Sequence, residues 1–294
     1  MMETVEYIQD NRFSRGFQVH GPTHEEGIIA RYPGGDPQSP CWTLAQWCVR
    51  RHPLNAETPR TELSGGGYQY ETPSHTITVH PESGEYRLRL ELRSSQEYGD
   101  HLRQEGEDWP HLLIDGWIPQ DLPPLGRLRN LIYKAQLRLD YCLTPLDQAA
   151  LDPEFHGAQV VHFFTVSDPA TGNFLWFGIP FFDTRRPVYT GYIGIDGGKD
   201  DATGKLIYTC PQKPFFSRPA GCGEWIQLEA DVLPMIRAAV EEANRRGLNF
   251  SAEIDNLKLT TNNLGWEMFA AYDGADRKIF PRRLFLRHGG REPA

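Results

Sequence analysis

The clearest signal along the chain is an alternation of apolar and polar positions with a period of two. In Tyr86-Arg87-Leu88-Arg89-Leu90-Glu91-Leu92-Arg93 the three leucines fall on one face, and Arg87, Arg89, Glu91 and Arg93 fall on the other. Successive side chains of an extended strand point to opposite faces, so this segment predicts a half-buried strand with a charged outer surface. Gln136 to Cys142 repeats the pattern, as does Thr76 to His80 with Ile77 and Val79 inward. Residues 158–166 (AQVVHFFTV) and 174–182 (FLWFGIPFF) are apolar at both parities and predict central strands covered on both faces. Segments 254–259, 264–272 and 283–287 also read as strands.

Turn chemistry separates these runs. Pro81 to Gly84, Ser167 to Asn173 and Asp196 to Lys199 place Gly, Pro, Asp or Asn between apolar stretches, as hairpin loops require. The rhythm breaks over residues 231–246. Asp231 stands at a cap position, Pro234 is compatible with a first turn, Leu233, Ile236, Val240 and Ala243 form a stripe, and Gly247 follows Arg245 and Arg246. Cap, stripe, basic end and glycine stop together predict one helix. A second short helix is expected over Leu125 to Lys134. About ten short strands with no alternation of strand and helix exclude a doubly wound sheet or an α/β barrel. The expected fold is an all-β, antiparallel jelly-roll β-sandwich with one prominent surface helix. Residues 1–60, rich in Pro, Gly, Arg and Asn, are expected to be an irregular arm packed on the body through Trp42 and Trp47, with 61–294 forming the sandwich domain.

Composition agrees. Among 294 residues are 28 glycines and 23 prolines, together 17%, above the ~12% of average proteins. The net charge of -9 argues against non-specific attachment to nucleic acid or an anionic membrane, where a basic surface supplies most of the attraction. The opening residues carry no basic stretch followed by an apolar run, so no secretory signal is read there. Five cysteines with no CxxC pair fit reduced thiols, which points to a cytoplasmic protein without a disulfide framework or closed zinc site.

The chain has no phosphate-cradling glycine motif, no HExxH and no GxSxG, so no cofactor is expected. Asp196, Asp200 and Asp201 share a glycine-rich hairpin that offers carboxylates to calcium, but a solvated turn is the simpler reading.

Aromatics make up 12% of the chain, with seven tryptophans, and an aromatic-rich sandwich of acidic balance is a suitable surface for sugars. Sugar rings present C–H faces that stack on aromatic rings, and their hydroxyls need polar partners nearby. Trp109 and His111, Gln159 and His162, and Asp183 and Arg185 supply that mixture and are the candidate glycan contacts. Glycoside hydrolysis instead needs two carboxylates across a cleft. Glu91, Asp115, Glu224, Glu253, Asp255 and Glu267 are the candidates, of which at most two act. A lyase would need cations and a Tyr or His base, and Arg87, Arg89 and Arg93 offer the cations. A third possibility is an interaction or structural module whose aromatics are core.

Three resemblances bear on this choice. Glu253 to Lys258 (EIDNLK) resembles the E-I-D-x-x-E strand of retaining β-glucanases with a concanavalin A-like jelly roll, and departs at Lys258, where that family carries its acid/base glutamate. Gln159 and His162 resemble the Q-[IV]-H strand of jelly-roll alginate lyases, but stand three apart instead of two, which puts them on opposite faces of a regular strand. The succession from Trp109 through Leu175 to Asp183, the Trp225 helix approach and the strand ending at Glu267 is similar to bacterial jelly-roll proteins grouped with carbohydrate-related sandwiches. That similarity implies the fold and a sugar theme, and assigns no catalytic residue.

Overall fold

The structure is a computed structural model and describes residues 4–82, 85–197, 202–216, 220–251, 254–279 and 286–287. Among the described residues the strands form an antiparallel jelly-roll β-sandwich of one seven-stranded and one nine-stranded sheet, with a two-stranded pairing of Thr4–Val5 and Leu286–Arg287 beside them. Across the seven-stranded sheet lie, in order, Trp225–Asp231, Ile132–Leu143, Asp273–Ile279, Glu85–Arg93, His75–Glu82, Gly67–Glu71 and Arg60–Leu63. Across the nine-stranded sheet lie Tyr192–Ile195, Leu206–Thr209, Asn173–Asp183, Ala158–Asp168, Lys258–Met268, His111–Trp117, Trp42–Ala45, Gly16–His20 and Ile28–Pro33.

The period-two pattern is what packs the sheets together. Leu88, Leu90 and Leu92 are fully buried beside Ile77, Val79 and Leu137 on the inner face of the seven-stranded sheet. Leu112, Ile114, Val160, Phe177 and Leu264 meet them from the other sheet, also with no exposed surface. Trp266 crosses the interior, its indole N–H donating to the Leu90 carbonyl at 3.3 Å and to Asp276 Oδ1 at 3.1 Å. A buried indole needs such a partner, since an orphaned N–H costs about 1–3 kcal/mol.

The helix spans Leu233–Arg245. Asp231 Oδ1 accepts from the Leu233 amide at 3.1 Å, Pro234 occupies the first turn, and Leu233, Ile236, Ala239, Val240 and Ala243 are buried. Gly247 then adopts φ +80°, a left-handed conformation that glycine enters without penalty. No helix among the described residues is long and apolar enough to cross a membrane.

Four sequence expectations change. Residues before 60 are irregular between their strands, yet they contribute Gly16–His20, Ile28–Pro33 and Trp42–Ala45 to the nine-stranded sheet. These strands lack obvious alternation because they are short and one pairing, Phe17 to Val19 with Trp42 to Leu44, is parallel and non-local. Leu125 to Lys134 is not a helix: a single 3₁₀ turn at Leu125–Arg127 gives way to a strand from Ile132, whose ladder with Ala230 and Asp231 outweighs local preference. Ile254–Asn256 is likewise a 3₁₀ turn, and the strand begins at Lys258. The outer faces of Ala158–Asp168 and Asn173–Asp183, expected to be covered, carry the half-buried Phe163 and Trp176 that line a groove.

Candidate functional site: an aromatic groove on the nine-stranded sheet

Strand register collects polar side chains on the outer face of the nine-stranded sheet. Glu267 stands opposite His111 on one side and Gln159 on the other, and Gln159 stands opposite Asp183. Because directly paired residues share a face, the sheet alone forces these four side chains into one row.

The row is hydrogen-bonded throughout. Gln159 Nε2 donates to Glu267 Oε1 at 2.9 Å, and the Trp109 indole N–H donates to Glu267 Oε2 at 3.2 Å. His111 Nε2 lies 3.4 Å from the same oxygen. Arg185 bridges outward, donating from Nη2 to Gln159 Oε1 at 2.8 Å and to Asp183 Oδ2 at 3.0 Å, with Nε on Asp183 Oδ1 at 3.0 Å. Its guanidinium also rests over the Phe269 ring at 4.1 Å. Arg103 lies over Phe155 at 3.7 Å and over Trp109 at 5.1 Å, which steadies the indole from behind.

Burial alone would lower the basicity of His111 and raise the pKa of Glu267; their pairing reverses both effects. His111 is raised to about 9, with Cys48 beside it and Glu267 opposing the cost of desolvation. Glu267 is lowered to about 2, with His111, Gln159 and Trp109 stabilising the carboxylate. At neutral pH the row therefore holds an imidazolium against a carboxylate in a poorly hydrated site. The second ring nitrogen of His111, Nδ1, is buried and makes no hydrogen bond of normal geometry.

Above the row is a groove of about 220 Å³. Trp47, Trp109, Trp176 and Phe163 supply its rings, and Glu267, Asp108 and Asp196 its carboxylates. Trp47 enters from the turn after Trp42–Ala45 and packs on His24 at 4.2 Å and His20 at 4.6 Å between ring centres. Of the candidate sugar contacts, Trp109, His111, Gln159, Asp183 and Arg185 thus belong to one network, and Trp109 and His111 line the groove itself.

His162 does not join them. It points into the core, where Nδ1 meets the Tyr133 hydroxyl at 2.8 Å and Nε2 meets Asn262 Oδ1 at 3.0 Å. Desolvation lowers it to about 3, so it is a neutral core histidine. Gln159 and His162 lie on opposite faces, and the lyase-like pair is not assembled.

The candidate carboxylates scatter. Glu91 is on the outer face of the other sheet, bonded to Arg89, Arg93 and Tyr141. Glu224 is exposed ahead of the Trp225–Asp231 strand, and Asp255 is exposed in the 3₁₀ turn. Glu253, Asp200 and Asp201 lie outside the described residues, so the glucanase-like segment retains only Asp255, which is not on a strand. Asp115 shares the outer face with Glu267, but sits opposite Asn263, four positions along the ladder. At ~3.4 Å per residue and ~4.8 Å between strands, their Cα atoms are roughly 14 Å apart. Glycosidase carboxyl groups work at about 5–9.5 Å, so Asp115 and Glu267 would have to lean toward each other along the ladder to act as a pair. Burial raises Asp115 to about 7, and its Oδ1 is without a hydrogen-bond partner.

Among the described residues no group of three or more His, Cys, Asp or Glu side chains is placed to hold a metal ion. Asp196 Oδ2 accepts from the Thr203 amide and hydroxyl, which is the bonding of a loop-closing turn.

Sequence reasoning passed over Trp47, Trp176, Asn263 and Cys48 as groove residues. The local pattern reads Trp47 as packing of the arm and Trp176 as part of a covered strand. Asn263 had a usable signal, since Asn262 and Asn263 at adjacent positions must face opposite sides of a strand.

No known protein family and no curated protein matches the chain. Similar solved structures include endoglucanase 3 of Trichoderma harzianum from family GH12, 10% identical over 77% of this chain and 96% of that one, with a TM-score of 0.38. A family 11 xylanase from Neocallimastix patriciarum is 9% identical over 75% and 93%, with a TM-score of 0.35. A carbohydrate-binding module specific for non-crystalline cellulose is 12% identical over 73% and 82%, with a TM-score of 0.28. At these values the likeness transfers neither residue nor activity, and the description of the fold rests on the strand order and register given above.

Proposed function

We propose that the protein recognises a glycan chain in the groove on the outer face of the nine-stranded sheet. The observation that carries this reading is the lining itself: three tryptophans around a polar row whose members are already oriented by one another. Trp47, Trp109 and Trp176 offer ring faces to sugar C–H surfaces, while His111, Glu267 and Asn263 offer donors and acceptors to hydroxyls. A pre-bonded row loses little side-chain freedom when a ligand arrives, which favours binding. With Glu267 balanced by His111, the groove keeps the negative charges of Asp108 and Asp196, which favours a neutral glycan over an anionic one. Recognition is favoured over hydrolysis because Glu267 is already engaged by Trp109, Gln159 and His111.

A panel of neutral oligosaccharides titrated against intrinsic tryptophan fluorescence tests this reading. Binding that weakens about tenfold in Trp176→Ala, roughly 1.4 kcal/mol, is the expected result. Absence of any response across the panel would refute it. Turnover of chromogenic glycosides that disappears in Glu267→Gln would replace recognition with hydrolysis.

A further inference from the structure

One end of the groove holds chemistry that recognition does not use. The His111 amide donates to the Trp47 carbonyl at 2.9 Å, and this link sets the next residue, Cys48, against the imidazole. Both side chains line the groove. His111 is only 7% exposed, and its Nε2 is turned to Glu267 Oε2 at 3.4 Å, so Nδ1 is the ring atom left for the thiol. Nδ1 is buried and has no hydrogen bond of normal geometry, while the Cys48 sulfur lies close enough to help hold the ring protonated. Cys48 itself has φ +60°, in the left-handed region that a residue with a Cβ seldom enters, and its amide donates to the Pro22 carbonyl at 3.1 Å. Such a backbone persists only where its surroundings impose it, and it recurs where a side chain is presented to a ligand.

The other cysteines are differently placed. Burial pushes the Cys41 thiol up to about 11 and that of Cys210 up to about 12, and raises Cys142 as well, which keeps all three protonated. Cys222 is exposed beside Leu139 of the seven-stranded sheet. Among the described cysteines, Cys48 is the one set against an imidazolium. A thiol, an imidazole and a carboxylate in series activate a nucleophile: the imidazole takes the thiol proton, and the carboxylate holds the ring and its charge. A loose thiol–imidazole contact is usual in a free enzyme and tightens when substrate arrives. Leu113, two positions from His111 on the same strand face, adds an apolar wall that suits a short acyl chain. The other titratable groups lining the groove are His24, Asp108 and Asp196, and Tyr98, which faces Cys48, is held neutral by burial.

We propose that Cys48 and His111 are the catalytic residues of an esterase that removes short acyl groups from the hydroxyls of the neutral glycan in the groove, with Glu267 as the positioning residue for His111. This activity rests on the neutral-glycan reading of the groove, whose ligand supplies the ester. The Cys48 thiolate attacks the acyl carbon, the bond from that carbon to the sugar oxygen breaks, and the sugar oxygen takes the proton of the His111 imidazolium. Water then attacks the thioester and gives a proton to His111. The carbon–sulfur bond breaks, the thiolate is restored, and the acyl group leaves as a carboxylic acid. Nothing is oxidised or reduced, and water is the only co-reactant.

Partly acetylated cello-oligosaccharides, the same chains without acetyl groups, 4-nitrophenyl acetate and iodoacetamide serve as probes of the full chain. The expected result is acetate release from the acetylated chains that falls at least about a hundredfold in Cys48→Ala and in Cys48→Ser, with thermal midpoints showing that both variants fold. Acid quenching during turnover should leave one acetyl group on Cys48, read by peptide mass. At pH 6, where an ordinary thiol of pKa about 8.5 is almost wholly protonated, iodoacetamide should label Cys48 at least about tenfold faster than the exposed Cys222. In Glu267→Gln the pH profile of Cys48 labelling should move up toward that of Cys222, a shift that loss of packing does not produce. No acetate release by the wild type, equal release by the Cys48 variants, or labelling of Cys48 no faster than that of Cys222 would overturn the inference. Binding of the unacetylated chains with no acetate release would overturn it and leave recognition standing. Cys48-dependent cleavage of 4-nitrophenyl acetate by a protein that binds none of the oligosaccharides would refute the neutral-glycan reading and, with it, the sugar ester as substrate.

Discussion

Replacing Glu267 with Gln removes the negative half of a buried pair while preserving shape. His111 is raised from its ordinary 6.5 to about 9, and Glu267 is lowered from 4.5 to about 2, each a displacement of about 2.5. Both displacements report the same interaction and are not added. At ~1.4 kcal/mol per unit the pair stabilises the fold by about 3 kcal/mol, which agrees with the ~3–5 kcal/mol typically lost when one partner of a buried pair is removed. The direction with pH follows from the two displacements. A raised histidine contributes fully below 6.5, and the contribution drains away as pH climbs through about 9. A depressed carboxylate contributes fully above 4.5 and loses its contribution as pH falls through about 2. The pair is therefore at full strength between pH 4.5 and 6.5. In Glu267→Gln, His111 has lost its counter-charge and burial returns it to the neutral form. Urea unfolding of both proteins from pH 5.5 to 10 should give a gap of about 3 kcal/mol near pH 6 that closes progressively between about pH 6.5 and 9. A gap that stays constant over that range, or that is below 1 kcal/mol at pH 6, would refute the assigned ion pair.

Other parts of the fold make separate predictions. Lys278 is buried with Nζ 2.7 and 2.6 Å from the two Asp276 oxygens, so Lys278→Met should cost about 3–5 kcal/mol in chemical denaturation, and adding Asp276→Leu should recover much of it. His162 and His75 are held neutral by burial, at about 3 and about 4, so each opposes folding as pH drops below 6.5. Each should add a slope of about 1.4 kcal/mol per pH unit between 6 and 4, and His162→Gln should flatten the measured profile by one such increment. Gly265 has no room for a methyl group, since a Cβ would lie 2.0 Å from the Leu112 carbonyl oxygen. Gly265→Ala should lower the thermal midpoint by several degrees and weaken groove binding, because the same ladder aligns Glu267 with His111.

The strand pattern was legible because burial of one face imposes a period of two. Leu88, Leu90 and Leu92 announce an inward face, and Asp231 and Gly247 bracket a helix, through interactions that act over a few residues. The same local reasoning correctly separated Gln159 from His162. It went wrong where distant partners prevailed: Ile132 to Lys134 left a helical preference to complete a ladder with Glu229 to Asp231, and residues 16–45 became strands by pairing with one another and with Leu113 to Gly116.

The chain by itself determined which side of its own strand each residue occupies, and therefore that Glu91 and Glu267 each point out of the sandwich. Only the tertiary structure decided that they point out of opposite sheets, Glu91 among arginines and Glu267 beside His111 and Trp109. A strand's alternation is written in consecutive residues, whereas its neighbours in a sheet are chosen by backbone hydrogen bonds and packing between segments that meet only on folding. The groove and the arginines around Glu91 are both products of that second choice, which is why their residues were individually visible and their association was not.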